Sequence, residues 1–192
     1  MWNPIRNHLR SVGAAFFKQS CVAFLAINLI TVMSQERDEN EYRNENYDYG
    51  VRTPREWQYE TSKPPNPNHG FQFKPSPVTL VWVEAFFADD TSLSGAVATA
   101  RKVWGKDCKG VSVEQTSLAR LPASQIELNC TAGPGIANPT ILDMRMALLR
   151  IPGKGIIEYE VGVLRPASGE GKEKAERAFR TVLDRFYLVS TH

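Results

Sequence analysis

Two long apolar segments flank Pro152-Gly153-Lys154-Gly155, and together they restrict the chain to folds that contain a long antiparallel hairpin. Proline and glycine clusters mark turns, and alternating side chains on either side are typical of paired strands. With Ile151 opposite Ile156, counting outward predicts the other pairs of one apolar face: Leu148 with Tyr159, Met146 with Val161 and Met144 with Val163. The second face is polar, and a slip of one residue would bury its charges. It carries Arg145, Ala147 and Leu149 against Gly162, Glu160 and Glu158.

The rest of the chain supplies further strands and two helices. Residues 78–87 are β-branched and aromatic and predict a strand, after which Asp89-Asp90-Thr91-Ser92 provides caps for a helix that ends at Gly105. Strands are expected over 111–121 and 125–130 with a turn at Pro122-Ala123-Ser124, and a closing amphipathic helix over 171–189. Helices segregated on an antiparallel sheet define an α+β class, here a sheet flanked by two helices.

The first 34 residues have the pattern of an export leader. A basic start precedes an apolar run over 21–33, and Gln35-Glu36-Arg37-Asp38 follows it. A secretory signal combines these features with small residues before the cleavage site. We expect residues 1–34 to be a cleaved signal peptide, with an uncleaved N-terminal anchor helix over 11–33 as the alternative. Either outcome predicts an extracytoplasmic protein, periplasmic or secreted.

Residues 35–77 have the composition of a flexible arm. Prolines crowd 64–67, aliphatic residues are few, and residues 35–60 carry eight acids against four bases. Aromatic residues are depleted in disordered segments, yet here they are interleaved with the acids, so docking on a partner is an alternative to a plain linker. We therefore divide the chain into a leader (1–34), an acidic, aromatic and proline-rich arm (35–77) and an α+β domain (78–192).

Charge and cysteine content narrow the function class. Residues 1–34 hold Arg6, Arg10 and Lys18 and no acid, which leaves 20 of the 23 bases against all 21 acids. A nearly neutral exported part lacks the basic footprint of a nucleic-acid-binding protein. Cys108 and Cys130 remain as an even pair, which in an oxidising compartment predicts one disulfide. Two separate buried thiols are the alternative.

Residues that carry catalysis are scarce. Only His69 and His192 follow the leader, and the sequence has no paired histidines, Cys-x-x-Cys or calcium loop, so we expect no enzyme activity, metal or cofactor. A hydrolase is the alternative if Glu84, Asp89 and Asp90 meet in a deep pocket with raised pKa values. Another alternative is a carrier for a small apolar ligand, lined by Trp82, Phe86 and Trp104.

The pattern resembles the PsbP-like fold. The resemblance covers about residues 78–190 and is carried by four segments: Leu80-Val81-Trp82-Val83-Glu84, Asp90-Thr91-Ser92-Leu93, Ile157-Glu158-Tyr159-Glu160-Val161 and the closing helix from Phe179 to Phe186. It implies an α+β sandwich that acts as an adaptor, assembly or extrinsic subunit, with no shared catalytic set. The early strands of this fold are expected before Val78, where this chain has its proline-rich stretch.

These observations predict an exported, non-catalytic binding protein, an accessory or assembly subunit of an envelope or membrane complex with a protein partner. The candidate partner surface combines the solvent side of the hairpin with the aromatic residues of the arm. Its residues are Tyr47, Tyr49, Trp57, Arg145, Glu158 and Glu160.

Overall fold

The computed structural model describes residues 39–61, 68–105, 108–131 and 140–189. The elements over these ranges are β1 Glu39–Asn44, β2 Tyr49–Pro54, β3 Glu60–Thr61, β4 Gly70–Phe73, β5 Leu80–Phe87, α1 Leu93–Trp104, β6 Cys108–Leu118, β7 Leu121–Cys130, β8 Thr140–Ile151, β9 Gly155–Pro166, α2 Glu170–Arg185 and β10 Phe186–Leu188. Three strands form a small sheet in the order β1-β2-β10, and seven strands form a large sheet in the order β3-β4-β5-β9-β8-β7-β6. The expected α+β class is confirmed.

The leader expected over 1–34, with its alternative anchor over 11–33, lies outside the described residues. In the part of the chain that is described, neither helix is long and apolar enough to cross a membrane. Export of the protein therefore stays a prediction from the sequence.

The large sheet buries both of its faces, one under each helix. On the first, which we call the α2 face, Val83, Tyr159 and Val161 share a core with the stripe of α2 and with the small sheet. On the second, the α1 face, Met144 and Met146 share a core with α1. Successive side chains of a strand point to opposite faces, so the register decides which helix each residue meets. The buried stripe of α2 consists of Ala175, Ala178, Phe179 and Val182.

Helix α1 forms as the sequence predicts. The Ser92 hydroxyl is its N-cap and accepts a hydrogen bond from the Gly95 N–H at 3.2 Å. Asp90, in the same cluster, accepts a hydrogen bond from the Thr99 hydroxyl at 2.8 Å. The helix ends at Gly105.

The β8–β9 hairpin is present, but its predicted register is wrong by one residue. Ile151 lies opposite Gly155, so the connection has three residues and not four. Gly153 and Gly155 have φ of +75° and +113°, backbone angles that glycine adopts without strain. Because of this shift, the two sets of β8 residues exchange the cross-strand partners that were predicted for them. The partners of Met144, Met146 and Leu148 are Gly162, Glu160 and Glu158, whereas those of Arg145, Ala147 and Leu149 are Val161, Tyr159 and Ile157.

The turn between β6 and β7 also differs from the prediction. The chain reverses at Ala119 and Arg120, both with positive φ, and not at Pro122-Ala123-Ser124. Pro122 lies inside β7 opposite Ser117. Pairing of β7 with β8 begins only at Ala123, so the missing N–H of Pro122 costs no ladder bond to β8.

The described part of the expected arm is folded. Four strands precede Val78: β2 pairs with β10, and β4 pairs with β5 at the edge of the large sheet. These are early strands of the kind that the resemblance implies. The aromatic residues explain the difference from the arm expected over 35–77, because they bury large apolar areas. Buried in this segment are Tyr42, Tyr47, Tyr49, Phe71 and Phe73.

The expected disulfide joins Cys108 to Cys130. The two residues lie directly opposite each other, at the start of β6 and the end of β7. Both side chains are buried in the core of the α1 face. The alternative of two separate thiols is therefore wrong.

A close approach on the α1 face gives a stability prediction. The indole of Trp82 covers Gly162, where an added Cβ would lie 2.1 Å from its Cζ2 atom. We expect Gly162→Ala to lower the free energy of unfolding by about 1–3 kcal/mol because the indole must move within a packed core. Denaturant unfolding measures the loss. In a Trp82→Leu background the same change should cost less, and an equal cost in both backgrounds would contradict the steric account.

Candidate functional site

Two of the three aromatic residues in the predicted partner surface, Tyr47 and Tyr49, are part of the core. Tyr49 is fully buried, stacks on Phe186 at 5.4 Å and donates a hydrogen bond to the His69 carbonyl at 2.9 Å. Tyr47 is also buried, with its hydroxyl 2.9 Å from Nδ1 of His69. Neither can contact a partner without unfolding. Trp57 is only partly buried.

The charged half of that surface is divided between the two faces of the sheet. Arg145 lies opposite Val161 on the α2 face, whereas Glu158 and Glu160 lie on the α1 face opposite Leu148 and Met146. Glu158 is also buried, at 5% exposure. The one-residue shift of the hairpin is the reason, so these three residues do not form one surface.

Three glutamates cluster on the α1 face. Glu84 of β5 is the cross-strand neighbour of Glu160 in β9, and a side-chain hydrogen bond joins Glu160 to Glu158. Burial, followed by the charges of Glu158 and Glu84, raises the pKa of Glu160 to about 8. Burial and then the Asp90 carboxylate raise the pKa of Glu158 to about 7. Glu84 is exposed on β5, yet desolvation by its surroundings still raises its pKa, against the opposing charge of His69.

This cluster meets only part of what a hydrolase needs. Its pKa values are raised, but the cavity that contains Glu84 measures about 160 Å³, and Glu158 and Glu160 line neither it nor the three larger cavities. Asp89 is exposed. Within the described ranges no group of three or more potential ligands is arranged to hold a metal ion. A pair of carboxyl groups with raised pKa values is present, but none of these four cavities opens onto Glu158 or Glu160.

The residues proposed to line a carrier site pack together. Trp82 stacks on Trp104 at 6.1 Å, and both belong to the core beneath α1. Phe86 is partly buried at the end of β5. The two indoles fill the space that an apolar ligand would need.

A cavity lined by several charged side chains lies on the α2 face, where α2 leaves part of β7 and β8 open. We call this region the charged groove. Its volume is about 370 Å³, and its apolar wall is formed by Phe179 and Leu183 of α2. The other residues that line it are Gln125, Glu127, Asp143, Arg145, Arg165, Glu176 and Arg180.

Arg165 is the centre of the charged groove. Its Nε donates to Oδ2 of Asp143 at 2.9 Å, and its Nη2 lies 3.3 Å from Oε2 of Glu127 and 3.6 Å from Oε1 of Glu176. Arg165 and Asp143 are only 7% and 6% exposed. Burial raises the pKa of Asp143, and the attraction of Arg165 opposes that rise. Glu127 and Glu176 remain more open to solvent.

Arg145 extends the groove toward the β6–β7 turn. Its Nε and Nη2 donate to Oε1 of Gln125 at 3.2 and 2.7 Å, and its Nη1 donates to the Ser117 carbonyl at 3.1 Å. Burial lowers the pKa of this guanidinium. The guanidinium is therefore held by acceptors on two neighbouring strands and is fixed as a donor on the α2 face.

Sequence reasoning placed Arg145 on a polar face but missed the network next to it. Arg165, Asp143, Glu127 and Glu176 come from four different elements, so no spacing in the sequence links them. One signal was available: Asp143 interrupts the apolar run of β8, and a charge in a strand buried on both faces needs a partner.

Comparisons with known proteins bear on the fold. LpqN of Mycobacterium tuberculosis, described as involved in cell envelope biogenesis, matches with a TM-score of 0.52 at 12% identity, over 79% of this chain and 91% of LpqN. The Ran-binding protein Mog1p of Saccharomyces cerevisiae matches with a TM-score of 0.49 at 8% identity, over 79% and 96%. Cyanobacterial PsbP (CyanoP) of Synechocystis sp. PCC 6803 gives 0.48 at 14% identity, over 79% and 92%.

No protein-family model matches the sequence, and no curated protein matches it. The likeness to LpqN, at 12% identity, is a likeness of fold. The chain has a PsbP-like fold.

Proposed function

We propose that this chain is an exported, non-catalytic binding protein that serves as an accessory or assembly subunit of an envelope or membrane complex. The charged groove carries the proposal. Burying Arg165 and Asp143 has a desolvation cost that a well-packed apolar pair would avoid, so the network indicates a role beyond stability. The groove presents both signs of charge beside the apolar side chains Phe179 and Leu183, as a protein-binding surface does.

Two observations support the export part of this proposal. Residues 1–34 have the leader pattern, and Cys108 and Cys130 form a disulfide of the kind that persists in oxidising compartments. The leader, whether cleaved or kept as an anchor, would place the folded residues outside the cytosol. LpqN, which shares the fold, is described as acting in cell envelope biogenesis.

Site-specific photo-crosslinking tests the binding function. We expect a photoreactive phenylalanine at the exposed Arg180, on the rim of the charged groove, to give one stoichiometric adduct in native membranes. The same residue at Val103, which is 66% exposed on α1, is the control and should give none. A monomeric, freely soluble protein without an adduct at position 180 would contradict the proposal.

A further inference from the structure

We infer that a second groove, on the opposite flank of α2, binds an acidic peptide segment that carries an apolar side chain. This groove, the basic cleft, has a volume of about 530 Å³ and lies between α2, the residues after β2 and the end of β4. The inference rests on the proposed function, since it names the chemistry of a protein partner. The lining residues that carry it are Trp57, Phe73, Lys74, Lys174, Arg177 and Ala178.

The floor of the basic cleft is aromatic and held in place. Trp57 stacks on Phe73 with ring centroids 4.4 Å apart, and Phe73 is itself buried in β4. The backbone N–H of Trp57 donates to the Pro54 carbonyl at 3.1 Å, which closes the turn that carries the indole. Ala178 adds a small apolar wall from α2. A partly exposed, fixed tryptophan offers area to an apolar side chain at little entropic cost.

The rim of the basic cleft carries three cations and one carboxylate, that of the exposed Glu56. Lys74 follows β4, and Lys174 and Arg177 project from α2. Among the described residues, no carboxylate lies within ion-pair distance of Lys74. Lys174 and Arg177 pair with Glu170 and Glu173 at 2.7 and 3.8 Å. These are solvent-exposed pairs one helical turn apart, which contribute little to stability and yield readily to a ligand carboxylate.

The arrangement favours an acidic peptide over a nucleic acid. The cations surround one aromatic cleft of about 530 Å³, large enough for two or three side chains of a peptide. A nucleic acid backbone requires a continuous basic stripe, and the chain after residue 34 has 20 bases against 21 acids. A peptide whose carboxylates bind the cations at the rim, and whose apolar side chain packs on Trp57, would complement both parts of the cleft.

Fluorescence anisotropy with defined probes tests the inference. The probe is a labelled peptide, Glu-Asp-Leu-Glu-Phe-Glu-Asp, and its matched control has every acid replaced by the corresponding amide. We expect the acidic peptide to bind the oxidised exported chain at least tenfold more tightly than the amide control, and to bind more weakly as salt increases. Lys74→Glu/Arg177→Glu and Trp57→Ala should each weaken binding at least tenfold.

Arg101→Glu/Lys102→Glu on α1 is the matched charge-reversal control and should leave binding unchanged, since both residues are exposed and absent from the cleft. Unfolding midpoints confirm that the cleft variants fold. Undetectable binding, equal affinity in Lys74→Glu/Arg177→Glu, or displacement of the peptide by single-stranded DNA would each overturn the inference. If the peptide does not bind but the adduct at position 180 forms, only the inference about the basic cleft is wrong. If the adduct does not form, the proposed function itself is contradicted.

Discussion

Replacing Arg165 by methionine is expected to lower the free energy of unfolding by about 3–5 kcal/mol at pH 7, the cost of breaking a buried ion pair from one side. Asp143, at 6% exposure, would lose the guanidinium that bonds it at 2.9 Å and would be left as an unpaired buried carboxyl group. Glu127 and Glu176 would also lose their shared cation. Denaturant unfolding of the purified oxidised protein measures the loss.

Two further variants distinguish the contribution of the buried ion pair to stability from that of a surface charge. Arg180→Met removes an exposed guanidinium from the same groove and should cost less than about 0.5 kcal/mol. Arg165→Met combined with Asp143→Leu should recover most of the loss, because no unpaired buried charge remains. The deficit of Arg165→Met should shrink as the pH is lowered, because burial raises the pKa of Asp143 and protonation removes its unpaired charge. Equal costs for Arg165→Met and Arg180→Met would refute the buried network.

The sequence predicted those elements whose signals are local. The helix capped at Ser92 and the hairpin around Gly153 both depend on residues within a few positions of each other. Their existence followed from capping, periodicity and turn composition. The hairpin register did not, because Gly155 belongs to the strand despite its positive φ, and the loop is one residue shorter than its composition suggests.

Long-range burial was outside the reach of local patterns. Tyr49 pairs with Leu188, and its ring stacks on Phe186, contacts that join the two ends of the described chain. No residue near position 49 indicates these contacts. The acids and prolines of the segment therefore predicted a flexible arm. The turn at Ala119 and Arg120 was missed for a different reason, since neither residue is the glycine or asparagine that usually marks positive φ.

The candidate sites also contain residues that local sequence patterns predict and residues that depend on long-range packing. Arg145 was found because alternation in β8 separates it from Met144 and Met146. Arg165 was not, because its carboxylate partners come from β7, β8 and α2. A charged residue in phase with a buried strand can be recognised from sequence, but its partners depend on how the elements pack.

The glutamate pair on the α1 face predicts a loss of stability as the pH rises. The pKa of Glu160 is raised from an ordinary 4.5 to about 8, so between these values the folded chain holds a proton that the unfolded chain has released. Stability is therefore greatest below about pH 4.5 with respect to this group and falls until about pH 8. Glu158, with its pKa raised to about 7, titrates together with Glu160 and adds to the slope.

Glu160→Gln should remove most of that slope, because the amide can donate to Glu158 without ionising. We expect the variant to be more stable than the parent by about 2–4 kcal/mol at pH 8 and nearly equal to it at pH 4.5, from denaturant unfolding across this range. Glu114→Gln, an exposed change on β6, is the matched control and should leave the profile unchanged. A parent whose stability is flat between pH 5 and 8 would contradict the shared proton. Glu84 and Asp90 face the same pair of glutamates. If Glu160→Gln keeps part of the pH dependence of stability, the double variant Glu160→Gln/Glu84→Gln will show whether Glu84 causes it.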